Sequence, residues 1–217
     1  MIPLLHDFSD SRVLVFGGGP VGARKARRFD HEAEVVVVAP EFADADFGEA
    51  TLERASPDPT EVSEWLDRIE PALVVAATDD VAVNAAVERA AEDRGVLVNR
   101  ADHSGERSPG AVVLPAIARD DPVVVGISTQ GGAPAVSGVF REEIEREIDG
   151  AGALAGFVGD LRERFADQGV DGPHRRDALR AIARSDRIRT LVADGRTDQA
   201  RAVAEELLGE VRNETES

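Results

Sequence analysis

The chain has 217 residues, 42% of them apolar, and a formal net charge of −17 at pH 7. That is enough length for one domain and a smaller companion, each with a core. Cysteine and tyrosine are absent, which excludes disulfides, thiolate metal sites, a cysteine nucleophile and any mechanism needing a tyrosine acid or base.

Acidity is spread along the whole chain and Lys25 is its only lysine. The plain reading is the solvated surface of an acidic protein. The sharper one is halophilic adaptation to a salt-rich cytoplasm, where screening over a few Å removes self-repulsion. Global acidity argues against nucleic acid as a partner. No apolar run approaches the ~20 residues of a membrane span. The opening MIPLLHDFSDSR lacks the basic and apolar regions of a signal peptide. A soluble cytoplasmic protein with no membrane partner is expected.

In chain order, the first element is a strand, Arg12 to Phe16. Gly17, Gly19 and Gly22 follow on G-x-G-x-x-G spacing and lead into a helix from Pro20 to Phe29. Strand, glycines and helix in that order form the context a dinucleotide site needs. The first glycine permits the tight turn, the second admits a pyrophosphate to the backbone, and the third lets helix and strand pack closely. The helix N-terminus favours the phosphate charge, so Gly17, Gly19, Pro20, Val21 and Gly22 are the expected cofactor contacts. An ordinary strand–turn–helix corner would share the spacing. Pro20 suits an early helical position.

Glu34 to Ala39 is a continuous valine run, read as a strand buried on both faces and closed by Pro40. A short strand is expected over Thr51 to Ala55, a helix around Thr60 to Ile69 and a strand over Leu73 to Ala77. Thr78, Asp79 and Asp80 then cap a helix from Val81 to Arg94, which Gly95 stops. Val96 to Asn99 is the next strand. Short apolar strands alternating with helices indicate a doubly wound parallel sheet of the α/β class. Ligands sit beyond the carboxyl ends of such strands, which selects Gly17 to Gly22, Ala39 to Glu41, Thr78 to Asp80 and Asn99 to His103.

The pattern changes after Gly110. Ala111 to Ile117 and Val123 to Ser128 read as a hairpin joined by ARDDP. A glycine-rich turn, Thr129 to Pro134, precedes a helix over Ala135 to Ile148. Val136, Val139, Phe140, Ile144 and Ile148 form one apolar stripe on it, either core or a dimer seam. Helices are expected over Ala153–Ala166, Arg175–Ser185, Asp186–Asp194 and Thr197–Arg212, with fraying from Arg212 onward.

Five stretches in order carry a resemblance: VLVFGGGPVGARKA, VVAATDDVAVN, VNRAD, LPAIARDDPVVVGISTQGGAP and FREEIE. Together they resemble the precorrin-2 dehydrogenase family, which is also the N-terminal part of siroheme synthase. The resemblance covers about residues 1–150; the helical tail matches only in character. It implies a Rossmann NAD-binding domain over 1–110, a small α+β dimerisation region over 111–149 and a helical C-terminal domain over 150–217. It implies a homodimer and an NAD-dependent oxidation of precorrin-2 to sirohydrochlorin. Some relatives also insert the metal ion. The family's carboxylate near its cofactor maps onto Asp102, and its Ser-Thr segment by the tetrapyrrole onto Ser128 and Thr129.

Asp102, at a strand's carboxyl end, is the expected catalytic base; a loop-stabilising aspartate is the plain reading. Thr78 and Asp79 are read as backbone contacts to the cofactor, or simply as a cap. Glu41 falls late for the ribose acid, and no arginine follows that strand to invite the extra phosphate of NADP, so NAD is expected. Precorrin-2 carries many carboxylates, and Arg24, Lys25, Arg100, Arg107, Arg119 and Arg141 are candidate partners. Asn99 and Arg100 are the expected substrate contacts. His103 is a candidate proton shuttle. No residues have metal-ligand spacing. A non-enzymatic NAD-binding regulatory module is the alternative function.

Overall fold

The computed structural model describes residues 3–102 and 110–215. They fall into two compact units, one of Met1–Leu114 with Gln130–Gly132, the other of Pro115–Thr129 with Ala133–Ser217.

The first unit comprises β1 (Arg12–Phe16), α1 (Pro20–Phe29), β2 (Glu34–Ala39), β3 (Thr51–Arg54), α2 (Val62–Ile69), β4 (Leu73–Ala76), α3 (Val81–Arg94) and β5 (Leu97–Arg100). Its five strands make one parallel sheet in the order β3-β2-β1-β4-β5. Successive side chains on a strand point to opposite faces. Val13, Val15, Val35, Val37, Leu73 and Val75 therefore pack with Ala23, Ala26 and Phe29 of α1. Leu14, Phe16, Val36, Val38, Val74 and Ala76 pack with Leu66 of α2 and Val83, Val87 and Ala90 of α3. Both faces of β1, β2 and β4 are covered, which is why those three strands read as apolar runs.

Two local signals set α3. The Asp80 carboxylate accepts from the backbone N–H of Ala82 (2.7 Å) and Val83 (3.3 Å). Gly95, at φ +66°, takes the left-handed residue that ends the helix.

The second unit comprises the antiparallel hairpin β6 (Ala116–Asp120) and β7 (Val123–Ile127), then α4 (Pro134–Glu147), α5 (Ala151–Asp167), α6 (Gly172–Arg184), α7 (Asp186–Ala193) and α8 (Thr197–Thr215). Helix α4 packs on β6, and the Asp120 carboxylate accepts from the N–H of Gly152 at the start of α5 (2.9 Å). Helices α5 to α8 enclose a separate apolar core around Phe157, Leu161, Phe165, Ile182, Ile188, Ala204 and Leu208.

Three expectations change. The run from Ala111 to Ile117 is not one strand. Ala111 makes a parallel bridge to Val98, and the Val112 N–H donates to the Val98 carbonyl (2.8 Å), so this piece extends the first unit's sheet. Pro115, which has no N–H to give a ladder, divides it from β6. The ARDDP link is thereby mostly strand, and the hairpin turns at Asp121-Pro122. Helix α8 runs to Thr215 in place of fraying at Arg212.

Replacing Asp80 with Ala removes the acceptor of two helix-end N–H groups. It should lower unfolding stability by about 1 kcal/mol in a urea titration, with the denaturant slope unchanged.

Candidate functional site

The carboxyl ends of β1, β2 and β4 open on a cleft of about 560 Å³ in the first unit. It is lined by Gly17, Gly18, Gly19, Pro20 and Val21, by Pro40 and Glu41, by Ser56 and Pro57, and by Thr78, Asp79 and Asp80. All the residues expected to hold the cofactor except Gly22 line this one cleft, and Gly22 lies in the first turn of α1.

The three motif glycines differ in what surrounds them. Gly17 has φ +125°, and a Cβ there would run into the Ala77 carbonyl. A Cβ at Gly22 would overlap the Gly17 carbonyl, so α1 meets β1 backbone against backbone. At Gly19 a Cβ would meet nothing within 4 Å; it would project into open space at the N-terminus of α1. That N-terminus carries no acidic residue in its first turn. Its first N–H groups have no partner within the helix. An open glycine, donor-rich backbone and absent counter-charge fit a pyrophosphate.

At the cleft's other end, Glu41 is exposed beyond β2. The register pairs Ala39 with Arg54 of β3. The Arg54 guanidinium donates to the Pro40 carbonyl (3.3 Å) and lies 6.0 Å from the centroid of the Phe42 ring. Arg54 of the neighbouring strand thus lies beside the end of β2, but it turns to the backbone there and does not line the cleft.

Thr78 does more than cap. Its hydroxyl donates to Asn84 Oδ1 (2.7 Å), its N–H reaches the same atom (3.2 Å), and Asn84 Nδ2 returns a bond to the Thr78 carbonyl (2.9 Å). Asn84 is fully buried on α3. It thereby fixes the turn after β4, a role that its place inside an apolar helix pattern did not signal.

Asp102 lies just past β5, where the Ala101 N–H still donates to the Ala76 carbonyl (2.8 Å). Arg100 grips its carboxylate with both arms of the guanidinium, Nε to Oδ1 at 3.1 Å and Nη2 to Oδ2 at 2.7 Å. The remaining nitrogen, Nη1, donates to Glu88 of α3 at 2.8 Å. The Arg100 hydrogen bonds hold the Asp102 carboxyl below its ordinary range; burial opposes this, and a hydrogen bond from Asn84 and the Arg100 charge add to it. Because the folded value is depressed, the pair's stabilisation is present above the ordinary carboxylate range. It is lost as pH falls through the lowered value.

Asn99 is buried, donates through Nδ2 to the Val112 carbonyl (2.8 Å), and leaves Oδ1 buried without a partner among the described residues. In the second unit, the Thr129 hydroxyl accepts from the Ala133 N–H (3.2 Å) and bonds the buried Ser137 hydroxyl (3.1 Å). It thus organises the glycine-rich turn at the head of α4. Ser128 beside it is exposed.

The other expected cations are placed variously. Arg24 is exposed, Arg119 pairs with Asp121 (3.4 Å), and Arg141 pairs with Glu145 on its own helix (2.6 Å). Lys25 is half-buried on α1, where burial first and then Arg28 and Arg24 push its amine down to about 8. His103 and Arg107 lie outside the described residues. Among the described residues no group of three or more acidic or histidine side chains is placed to hold a metal ion, and no helix is long and apolar enough to cross a membrane.

Residues 4–116 match the family described as "Putative NAD(P)-binding". The chain belongs to this family. This NAD(P)-binding chain is also 35% identical to the siroheme synthase of Pseudomonas aeruginosa (strain UCBPP-PA14) over 218 aligned residues, covering 95% of the chain and 44% of that protein. It spans less than half the length of the siroheme synthases it matches. It is 34% identical to the precorrin-2 dehydrogenase of Methanosarcina barkeri (strain Fusaro) over 150 residues, covering 66% of the chain and 65% of that protein. Its fold is that of the solved structure of "SirC, precorrin-2 dehydrogenase", with a TM-score of 0.67 and 22% identity over 98% of this chain and all of that one.

The glycines make separable predictions. Gly19→Ala should keep the thermal midpoint and weaken NAD⁺ binding at least tenfold by calorimetry, since its methyl enters only the cleft. Gly22→Ala should lower stability by about 1–3 kcal/mol, because backbone must move.

Proposed function

We propose that the protein oxidises precorrin-2 to sirohydrochlorin with NAD⁺ as the acceptor, in siroheme or other tetrapyrrole biosynthesis. The observation that carries this reading is the extent of the match to siroheme synthase, which runs through 95% of the chain and so well beyond the NAD(P)-binding family's residues 4–116. A regulatory NAD-binding module would have no reason to share the hairpin, the glycine-rich turn and the helical tail.

The bound dinucleotide supplies a hydride acceptor. Gly17, Gly19, Pro20 and Val21 would hold its pyrophosphate, with Gly22 letting α1 start close to β1; Thr78 and Asp79 would border it and Glu41 would serve its adenosine ribose. NAD is favoured over NADP by Glu41 at the cleft and by an Arg54 already turned to the Pro40 carbonyl. Asp102 takes the proton that leaves with oxidation. Asn99, whose buried carbonyl lacks a donor among the described residues, is a substrate contact, as are Ser128 and Thr129.

The chain acts as a homodimer through residues 111–149. Val136, Val139 and Phe140 of α4 are 43%, 55% and 48% exposed, and Ser137 is the only buried residue of that helix. An apolar helix face left this open is a surface for a second copy. The remaining segments divide as a dinucleotide domain before it and a helical domain from 150 onward. The charge of −17, carried with a single lysine, suits a halophilic, cytoplasmic setting.

Purified protein in molar KCl with precorrin-2 and NAD⁺ should show sirohydrochlorin and NADH absorbance rising together, with neither appearing when NAD⁺ is omitted. NAD⁺ binding without turnover would move the assignment to a regulatory module. By sedimentation equilibrium, Phe140→Asp should halve the mass of the wild-type dimer while the helical circular dichroism persists.

A further inference from the structure

We propose that Arg100, braced by Glu88, is a positioning residue that holds Asp102 as an oriented carboxylate fitted to accept a proton only after hydride has left the substrate. The inference rests on the reading of Asp102 as proton acceptor.

All three nitrogens of Arg100 are engaged inside the fold, two on Asp102 and one on Glu88. The Arg100 side chain is 15% exposed and that of Asp102 23%. The pair lies on the far side of β4 from the glycine turn, at the same end of the sheet. A planar fork against a carboxylate fixes orientation as well as distance. Glu88 fixes the fork in turn, because it ties β5 to α3. Arg100 is thereby unavailable to a substrate carboxylate unless it gives up Asp102. The charged groups facing Asp102 among the described residues are Arg100 of β5 and, through it, Glu88 of α3; Asn84 of α3 is neutral.

This arrangement constrains the chemistry. A carboxylate held by a guanidinium is a poor base and cannot draw an unactivated C–H proton. Removal of a hydride from precorrin-2 changes that. The two electrons leave with the hydride, the macrocycle becomes a cation, and a proton on a neighbouring atom becomes acidic. That proton passes to the Asp102 carboxylate and then to water, while the electron pair of its bond stays in the macrocycle as the new double bond. A weak, permanently ionised base is sufficient for that order of events, and it stays ionised through the pH range of a cell.

Two measurements on the full chain test this, both in a His103→Gln background that removes the imidazole of the next residue in the sequence. The first is a carboxyl ¹³C NMR titration of Asp102 without cofactor; the second is the pH profile of kcat/KM for precorrin-2. Arg100→Met should raise the Asp102 midpoint by about 1–3 pH units and move the acid limb of the profile by the same amount. Arg100→Lys keeps the charge, loses the fork and should shift both by less; it also serves if the Met variant does not fold. An unmoved Asp102 midpoint in a folded variant overturns the proposal. So does a moved midpoint with an unmoved acid limb, which takes Asp102 out of proton transfer. The NMR shift is read without turnover, so a wild-type chain that fails to oxidise precorrin-2 overturns the function while the Arg100–Asp102 pair is judged separately.

Discussion

The first unit depends on one backbone approach, that of α1 to the end of β1 at Gly22 and Gly17. No side chain fits between them. Because the helix begins this close to the sheet, its unbonded N–H groups open onto the cleft and not into a loop. The same approach sets Ala23, Ala26 and Phe29 down on Val13, Val15, Val35 and Val37. Core packing and phosphate binding are two results of one contact, and the remaining site residues enter from strand ends that this packing aligns.

Much of this was legible because the signals are local. A valine run between turn residues, glycines on fixed spacing, an aspartate before a helix and a glycine after it each act within a few residues. What was illegible depends on neighbours in space. Asn84 and Glu88 sit one turn apart on α3 and read as ordinary polar positions, yet they reach the turn after β4 and the end of β5. Arg54 reaches the end of β2 only because β3 lies beside it. The run from Ala111 to Ile117 looked like one strand since its apolarity is continuous; Pro115 divides it, and the two halves join different sheets.

The site also shows how a strongly acidic chain arranges local charge. Many of its arginines pair with nearby carboxylates, as with Arg68 and Glu53 (2.6 Å) or Arg94 and Asp67 (2.8 Å). Exposed pairs of this kind contribute little to stability. The Arg100 group differs in being largely shielded and shared between two acids, so it orients a carboxylate where the others merely cover the surface.

The half-buried amine on α1 has a consequence of another kind. Every other side-chain cation that stays charged above neutral pH is a guanidinium, which neither loses its proton nor acylates under mild conditions. Lys25, with its amine brought down to about 8, is partly neutral in weakly alkaline buffer. An amine-directed reagent therefore meets a single side-chain target in the whole chain. That target lies on the helix whose first turn borders the cleft, so one fluorophore attached there would report on occupancy without any engineered residue.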